Sequence, residues 1–229
     1  MKQTKNNKKM LADIELHRTY ELSEAIKIIK EKSYAKFNET IDVAIKLGID
    51  TNKSDQNIKG VVNLPNGTGK SVTVAVVASE EDQKKASEEG ADIVGESELI
   101  DKISSGEINF DILISSPELM PKLGKVAKIL GPKGLMPNPK LGTVSKDIKN
   151  AVKNVKSGQV KFKNDKSGIV HAGFGKIDFK DDDLITNLKE LYSTILKNKP
   201  DSMKGSFIKK VTIASTMGFG LKINVASLR

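Results

Sequence analysis

Lysine, glycine and proline crowd one stretch of this chain, residues 131–144, which reads GPKGLMPNPKLGTV. Three of the seven prolines (Pro132, Pro137, Pro139) and three glycines (Gly131, Gly134, Gly142) fall in it. Each proline fixes φ and pushes the residue before it toward an extended conformation, so a stiff loop is expected. Its charged side chains are Lys133 and Lys140, and residues 119–146 hold six lysines and no carboxylate. An ammonium group on a stiff loop is suited to phosphate. The same composition also suits a plain connection after a capped helix.

Other candidate chemistry is thinner. Residues 66–71, NGTGKS, end like a phosphate-binding P-loop, but position 64, where the motif needs glycine, is Leu64. That motif also needs a helix afterwards, and residues 72–78 read as a strand. Gly-x-Gly occurs at 67–69, 173–175 and 218–220, but the third glycine of a dinucleotide fingerprint would fall on Val72, Asp178 and Ile223. His17 and His171 lie far apart without companion ligands at metal spacing. With no cysteine, disulfides and thiolate metal sites are excluded, and no serine sits in a nucleophile elbow. No cofactor and no catalytic residue is expected.

What remains is charge. The net charge is +9, the pI is near 9.4, and lysine dominates the basic residues. Such a balance favours nucleic acid. Its distribution is uneven. Residues 67–158 hold 13 lysines and 13 carboxylates, whereas residues 1–66 carry +3 and residues 159–229 carry +6. No apolar run approaches the ~20 residues of a membrane span. The basic start, MKQTKNNKKM, has no apolar core after it, so no secretory signal is expected.

The elements that would position these residues come in two styles. Residues 22–33 show helical spacing, and residues 40–49 alternate Ile41, Val43, Ile45 and Leu47 with polar or small residues, as a half-buried strand does. Residues 58–64 read as a further strand. From residue 72 the strands become short and wholly apolar (72–78, 91–94, 111–115) and alternate with helix patterns at 80–89, 98–103 and 118–130. That is the pattern of a parallel sheet covered on both faces. Gly131 suits the position past the last of these helices, and Ser145 suits the N-cap of a helix over 145–155. After Gly158 the alternation returns, with an expected hairpin of 160–163 and 169–172 around NDKSG, a helix over 184–196, and strands at 207–214 and 221–225. The fold expected is α/β plus α+β. A discontinuous α+β domain with an antiparallel sheet (1–66 and 159–229) receives an inserted Rossmann-like parallel α/β domain (67–158). The hinge would lie near Pro65 and Gly158.

Five blocks resemble, in order, those of the bacterial-type L-one family of large-subunit ribosomal proteins. They are AKFNETIDVAIKLGID (35–50), GVVNLPNGTGKSV (60–72), GPKGLMPNPKLGTV (131–144), NDKSGIVHAGFGK (164–176) and STMG (215–218). The resemblance implies the same two-domain layout. It also implies an outer domain that grips structured large-subunit ribosomal RNA, in a mobile stalk beside the tRNA exit site. Assistance in releasing deacylated tRNA and repression of the protein's own mRNA are further implications. So are work on a bacterial cytoplasmic or organellar ribosome and a monomeric state off it. Carried onto this chain, the RNA-binding candidates are Lys36, Phe37 and Thr40 at the first strand, and Thr216, Met217 and Gly218 at the last turn. His171 comes with its block, and Lys161, Lys163, Lys166 and Lys210 would supply phosphate contacts. Lys133 and Lys140 are the candidates for a secondary contact with tRNA or stalk RNA. Phe219 stands where the family usually has proline. Taken by the residues alone, Phe37 reads as a core residue capping the strand. The rival functions are a nucleotide-binding α/β enzyme and a non-ribosomal RNA-binding protein.

Overall fold

The computed structural model describes residues 14, 15, 18–145, 147–201, 203 and 205–228. His17 and the basic start of the chain lie outside them. The chain divides into two compact units, residues 1–69 with 160–229, and residues 70–159.

In chain order, the first unit begins with β1 (Thr19–Tyr20), α1 (Leu22–Glu31), β2 (Thr40–Leu47) and β3 (Lys59–Asn63). The second follows with β4 (Val74–Val77), α2 (Glu80–Glu88), β5 (Ile93–Gly95), α3 (Ser97–Ser104) and β6 (Ile112–Ser115). It continues through two short helices, α4 (Met120–Leu123) and α5 (Ala127–Leu130), to α6 (Ile148–Lys156). The chain then completes the first unit with β7 (Gln159–Lys163), β8 (Ile169–Lys176), α7 (Asp181–Lys197), β9 (Ile208–Ser215) and β10 (Leu221–Ile223). Among the described residues, no helix is long and apolar enough to cross a membrane.

The first unit is built on a five-stranded sheet in the order β1-β10-β9-β2-β8. All its pairings are antiparallel except the short β1, which runs parallel to β10. The two-residue period of β2 drives Ile41, Val43, Ile45 and Leu47 into the core. The apolar stripes of α1 (Leu22, Ala25, Ile26, Ile29) and α7 (Leu184, Leu188, Leu191, Tyr192, Ile195) complete that core. Asn187 sits wholly buried in the α7 stripe. Its amide donates to the Gly67 and Phe174 carbonyls at 3.0 and 2.9 Å and accepts from the Asn66 N–H at 3.1 Å, tying the end of the first chain segment to α7. The sheet is thus covered by helices on one face and open on the other.

The second unit is a parallel sheet in the order β5-β4-β6. Val74 to Val77 are buried on both faces of β4, because α3, α4 and α5 pack on one side and α2 and α6 on the other. A continuous apolar run is what such a strand requires.

Three local expectations fail for identifiable reasons. β7 does not form a hairpin with β8. It pairs with β3, and it meets β8 only through the turn, by the Asn164–Val170 bridge and the 2.9 Å bond from the Asp165 N–H to the Ile169 carbonyl. Asn164 is buried and binds Ile58 by backbone and side chain (Ile58 N–H to Oδ1, 2.6 Å), which draws the chain to β3 instead. The helix expected over 118–130 is broken by turns of 3-10 geometry around Pro117 and Gly124–Val126. Gly131 stands just past α5, as expected, but with a right-handed backbone (φ −59°), and the left-handed turn comes at Gly134 (φ 70°). The cap of α6 is Asp147, whose Oδ1 accepts the Asn150 N–H at 3.3 Å, while Ser145 accepts the Asp147 N–H. The pairing of β1 carried no signal in two residues.

Candidate nucleic-acid interface

The open face of the five-stranded sheet is built by register. β2 turns Thr40, Asp42, Ala44 and Lys46 outward. Beside them on β8 stand Lys176, Gly173, His171 and Ile169, and on β9 stand Ala214, Thr212 and Lys210. Lys222 of β10 lies next to Thr212. The middle of this face is shallow. A Cβ on Gly173 would come within 3.1 Å of Asp42 and Thr40, and one on Gly220 within 3.1 Å of Thr212. From Thr40 to Lys46 the face runs about 20 Å at ~3.3 Å per residue.

At the Thr40 end two loops meet. The Thr40 N–H donates to Thr216 Oγ1 at 3.1 Å, and the Thr216 N–H and hydroxyl both donate to the Thr40 carbonyl, at 3.1 and 3.2 Å. The Thr216 proton is therefore spent within the protein, and only a lone pair is left for a ligand. Gly218 closes the turn by donating its N–H to the Ser215 carbonyl at 3.1 Å. A Cβ at Gly218 would stand against Ser215 Oγ, so a side chain there would force that hydroxyl to swing aside. Phe219 packs against the core, which anchors the turn where a proline would have stiffened it.

Phe37 is not a core cap. Its ring is 56% exposed, Met217 is 49% exposed, and Tyr34 is exposed in the same loop as Phe37. The strand is closed instead by Glu39, which is buried and accepts the Ser33 hydroxyl at 2.6 Å and the Met217 N–H at 2.9 Å. Lys36 is exposed beside Phe37, and Lys176 reaches Thr40 Oγ1 at 3.0 Å. Lys36, Phe37, Thr40, Thr216, Met217 and Gly218 are thus brought to one end of one sheet.

The other candidates are spread more widely. Lys210 faces Lys46 at the far end of the open face, and Lys46 donates to the Ser167 carbonyl in the turn that carries the exposed Lys166. His171 lies exposed between the ends, with Nε2 3.8 Å from Asp165 Oδ2. Asp165 is held below the usual carboxylate range, chiefly by the Ile169 N–H, with the Ser167 N–H adding to it. Lys161 and Lys163 sit on β7, in the two-stranded sheet and not on the open face. Lys161 is half-buried, and burial pushes its ammonium down, so it is the least suited of these lysines to meet phosphate. Asp42, Lys46, Lys176 and Lys222 were missed in the sequence, although strand alternation on β2 points to the first two. The Asp42 carboxyl is raised by partial desolvation, against the opposing pull of His171 and Lys176.

In the second unit, residues 131–144 are ordered by their own bonds. Thr143 is buried, accepts the Asn138 N–H at 2.8 Å and donates to the Asn138 carbonyl at 3.2 Å. Pro137 is buried, Leu135 and Met136 pack on the core, and Lys133 is exposed. The side chain of Lys140 lies outside the described part of the structure. The P-loop lookalike has Gly67 and Gly69 at φ 66° and 68°, and the next regular element is β4, a strand. Among the described residues, no group of three or more His, Asp or Glu side chains could hold a metal ion.

Comparison with known proteins is consistent from end to end. The model of the Ribosomal protein L1p/L10e family matches residues 29–219, which takes in both units. The chain is 53% identical over 209 residues to "Large ribosomal subunit protein uL1" of Rickettsia akari (strain Hartford), covering 91% of this chain and 87% of the relative. It is 52% identical to the protein of that name from Rickettsia peacockii (strain Rustic) and 53% to that from Rickettsia bellii (strain OSU 85-389), with the same coverage. Such proteins are structural, which decides against the enzyme reading. With a family model matching residues 29–219, well over half of its length, the chain belongs to the Ribosomal protein L1p/L10e family.

Proposed function

We propose that this chain grips large-subunit ribosomal RNA with the Thr40 end of its five-stranded sheet. Its family makes it a structural constituent of the large ribosomal subunit, and rRNA binding is general to that family. The observation that carries the finer assignment is the pairing of exposed Phe37 and Met217 beside the interlocked Thr40 and Thr216. An exposed aromatic ring can stack on a base or sugar. Lys36, Lys176, Lys46 and Lys210 then supply phosphate contacts along the face together with His171, and Lys166 in the neighbouring turn and Lys163 on β7 add to them. The quoted relatives are bacterial, which supports work on a bacterial ribosome in the cytoplasm.

The second unit carries a separate role in this reading. Lys133, with Lys140, meets exit-site tRNA or stalk RNA, and the protein forms a mobile stalk that aids release of deacylated tRNA. Repression of its own mRNA would use the same sheet end on a similar RNA structure. Off the ribosome the protein is monomeric.

The test has two arms. The protein is expected to cosediment with large subunits through a high-salt wash, and Met217→Ala is expected to weaken binding to a large-subunit rRNA fragment while leaving folding intact. Loss from the subunit at high salt, with equal affinity for unrelated RNA, would leave a general RNA-binding protein in its place.

A further inference from the structure

We propose that Glu39 is a positioning residue that locks the two RNA-contact segments into one geometry, an inference that rests on the rRNA reading above. Glu39 is 1% exposed. Its Oε1 accepts the Ser33 hydroxyl at 2.6 Å and its Oε2 accepts the Met217 N–H at 2.9 Å, across 178 positions of sequence. Ala35 and Ser215 lie near enough to help hold the carboxylate charged. An ionised carboxylate offers about four acceptor sites, and here two are taken by neutral donors, one from each segment.

These groups divide evenly. Ser33 and Ala35 lead directly into Lys36 and Phe37, while Ser215 and Met217 frame Thr216. Burial raises the carboxyl pKa, and the bonds from Ser33 and Met217, helped by Ser215 and Ala35, outweigh that, so the group stays below its ordinary range and charged. A buried charge is a costly way to close a sheet, which a hydrophobic side chain of similar volume does with less desolvation. An acceptor that takes donors from both loops does what a hydrophobic side chain cannot. It fixes the backbone of one contact segment against the other before RNA arrives. Preorganisation of this kind appears in affinity, because ordering cost is removed from the binding step. It does not appear in the salt dependence, because Glu39 neutralises no phosphate.

The experiment uses the full chain and two variants, Glu39→Gln and Ser33→Ala. The glutamine amide keeps the shape of the carboxylate but turns its N–H groups toward either the Ser33 hydroxyl or the Met217 N–H. Glu39→Gln is expected to bind the large-subunit rRNA fragment about tenfold more weakly or worse, and Ser33→Ala about threefold. Both should keep the wild-type salt slope and the wild-type affinity for an unrelated duplex RNA. A double-mutant cycle adds a readout that a merely structural role would not move. Phe37→Ala and Met217→Ala should be non-additive in the wild-type background and additive in Glu39→Gln. Wild-type affinity in both folded variants, or parallel loss on cognate and unrelated RNA, would overturn the inference. If Glu39→Gln does not fold, Ser33→Ala decides by the same criteria. If the wild-type chain shows no preference for the rRNA fragment, the rRNA reading itself falls, and this inference with it.

Discussion

The 215–218 turn and the 131–144 loop are both stiff, and they are stiff for different reasons. Residues 131–144 are held by their own prolines, by the Asn138–Thr143 bonds and by the packing of Leu135 and Met136. Most of what orders them is close in sequence, and the 3.0 Å bond from the Ser115 N–H to the Thr143 carbonyl ties their end to β6. The 215–218 turn has one short bond of its own, from Gly218 to Ser215. Its position is set by Thr40 and by Glu39, which lie some 176 and 178 positions away. The first kind of stiffness presents lysine to whatever anion comes near. The second places uncharged groups, Phe37 and Met217, in a fixed relation to each other, and that can discriminate between RNA shapes.

The comparison breaks most decisively if the units are separated. Residues 1–69 joined to 160–229 through a short linker are expected to bind the rRNA fragment within one decade, about 1.4 kcal/mol, of the whole chain. Residues 70–159 alone should bind about a thousandfold more weakly or worse, the usual gap between specific and nonspecific binding. Comparable affinities in a titration of both pieces would place the primary site on the second unit.

A smaller effect is expected at the ring. Phe37→Ala should cost about 1–3 kcal/mol in rRNA affinity, the range for an aromatic side chain stacked on a base. Because the ring is 56% exposed, the melting temperature should hold. A drop in melting temperature with unchanged affinity would return Phe37 to the role of core cap.

The clamp also makes a prediction about pH. The Glu39 pKa in the folded protein lies below its ordinary value of 4.5, so the unfolded chain takes up a proton first as acid is added. Its contribution to stability is full above about pH 4.5 and is lost as pH falls through the lower folded value. Melting temperatures followed from pH 6 downward should fall more steeply for wild type than for Glu39→Gln. Parallel curves would mean that the carboxylate is not held charged by its donors.

The smallest effect belongs to the proline loop. Lys133→Gln with Lys140→Gln should leave folding intact, since Lys133 is exposed and the Asn138–Thr143 bonds that order the loop use neither lysine. Each lost phosphate contact should lower the salt slope of the tRNA or stalk-RNA complex by roughly 0.7–0.9. An unchanged slope on both would make the loop a connection only.

Much of this was legible in sequence because it is local. The alternation of Ile41, Val43, Ile45 and Leu47 and the apolar run of Val74 to Val77 report burial directly, through the two-residue period of strands and through sheets covered on both faces. Family membership was legible too, in blocks such as GPKGLMPNPKLGTV, whose residues stand next to one another. The partner of β7, the exposure of Phe37 and the role of Glu39 were not. A turn-rich NDKSG looks like a hairpin whichever strand it finally feeds, and only the burial of Asn164 against Ile58 decides for β3. Phe37 and Glu39 are two residues apart, and hydropathy alone places the phenyl ring inside and the carboxylate outside. The fold reverses them because donors from two distant segments converge on Glu39, and hydrogen bonding at that point outweighs the cost of burying its charge. Convergence of that kind is a property of the assembled sheet, and no window of sequence contains it.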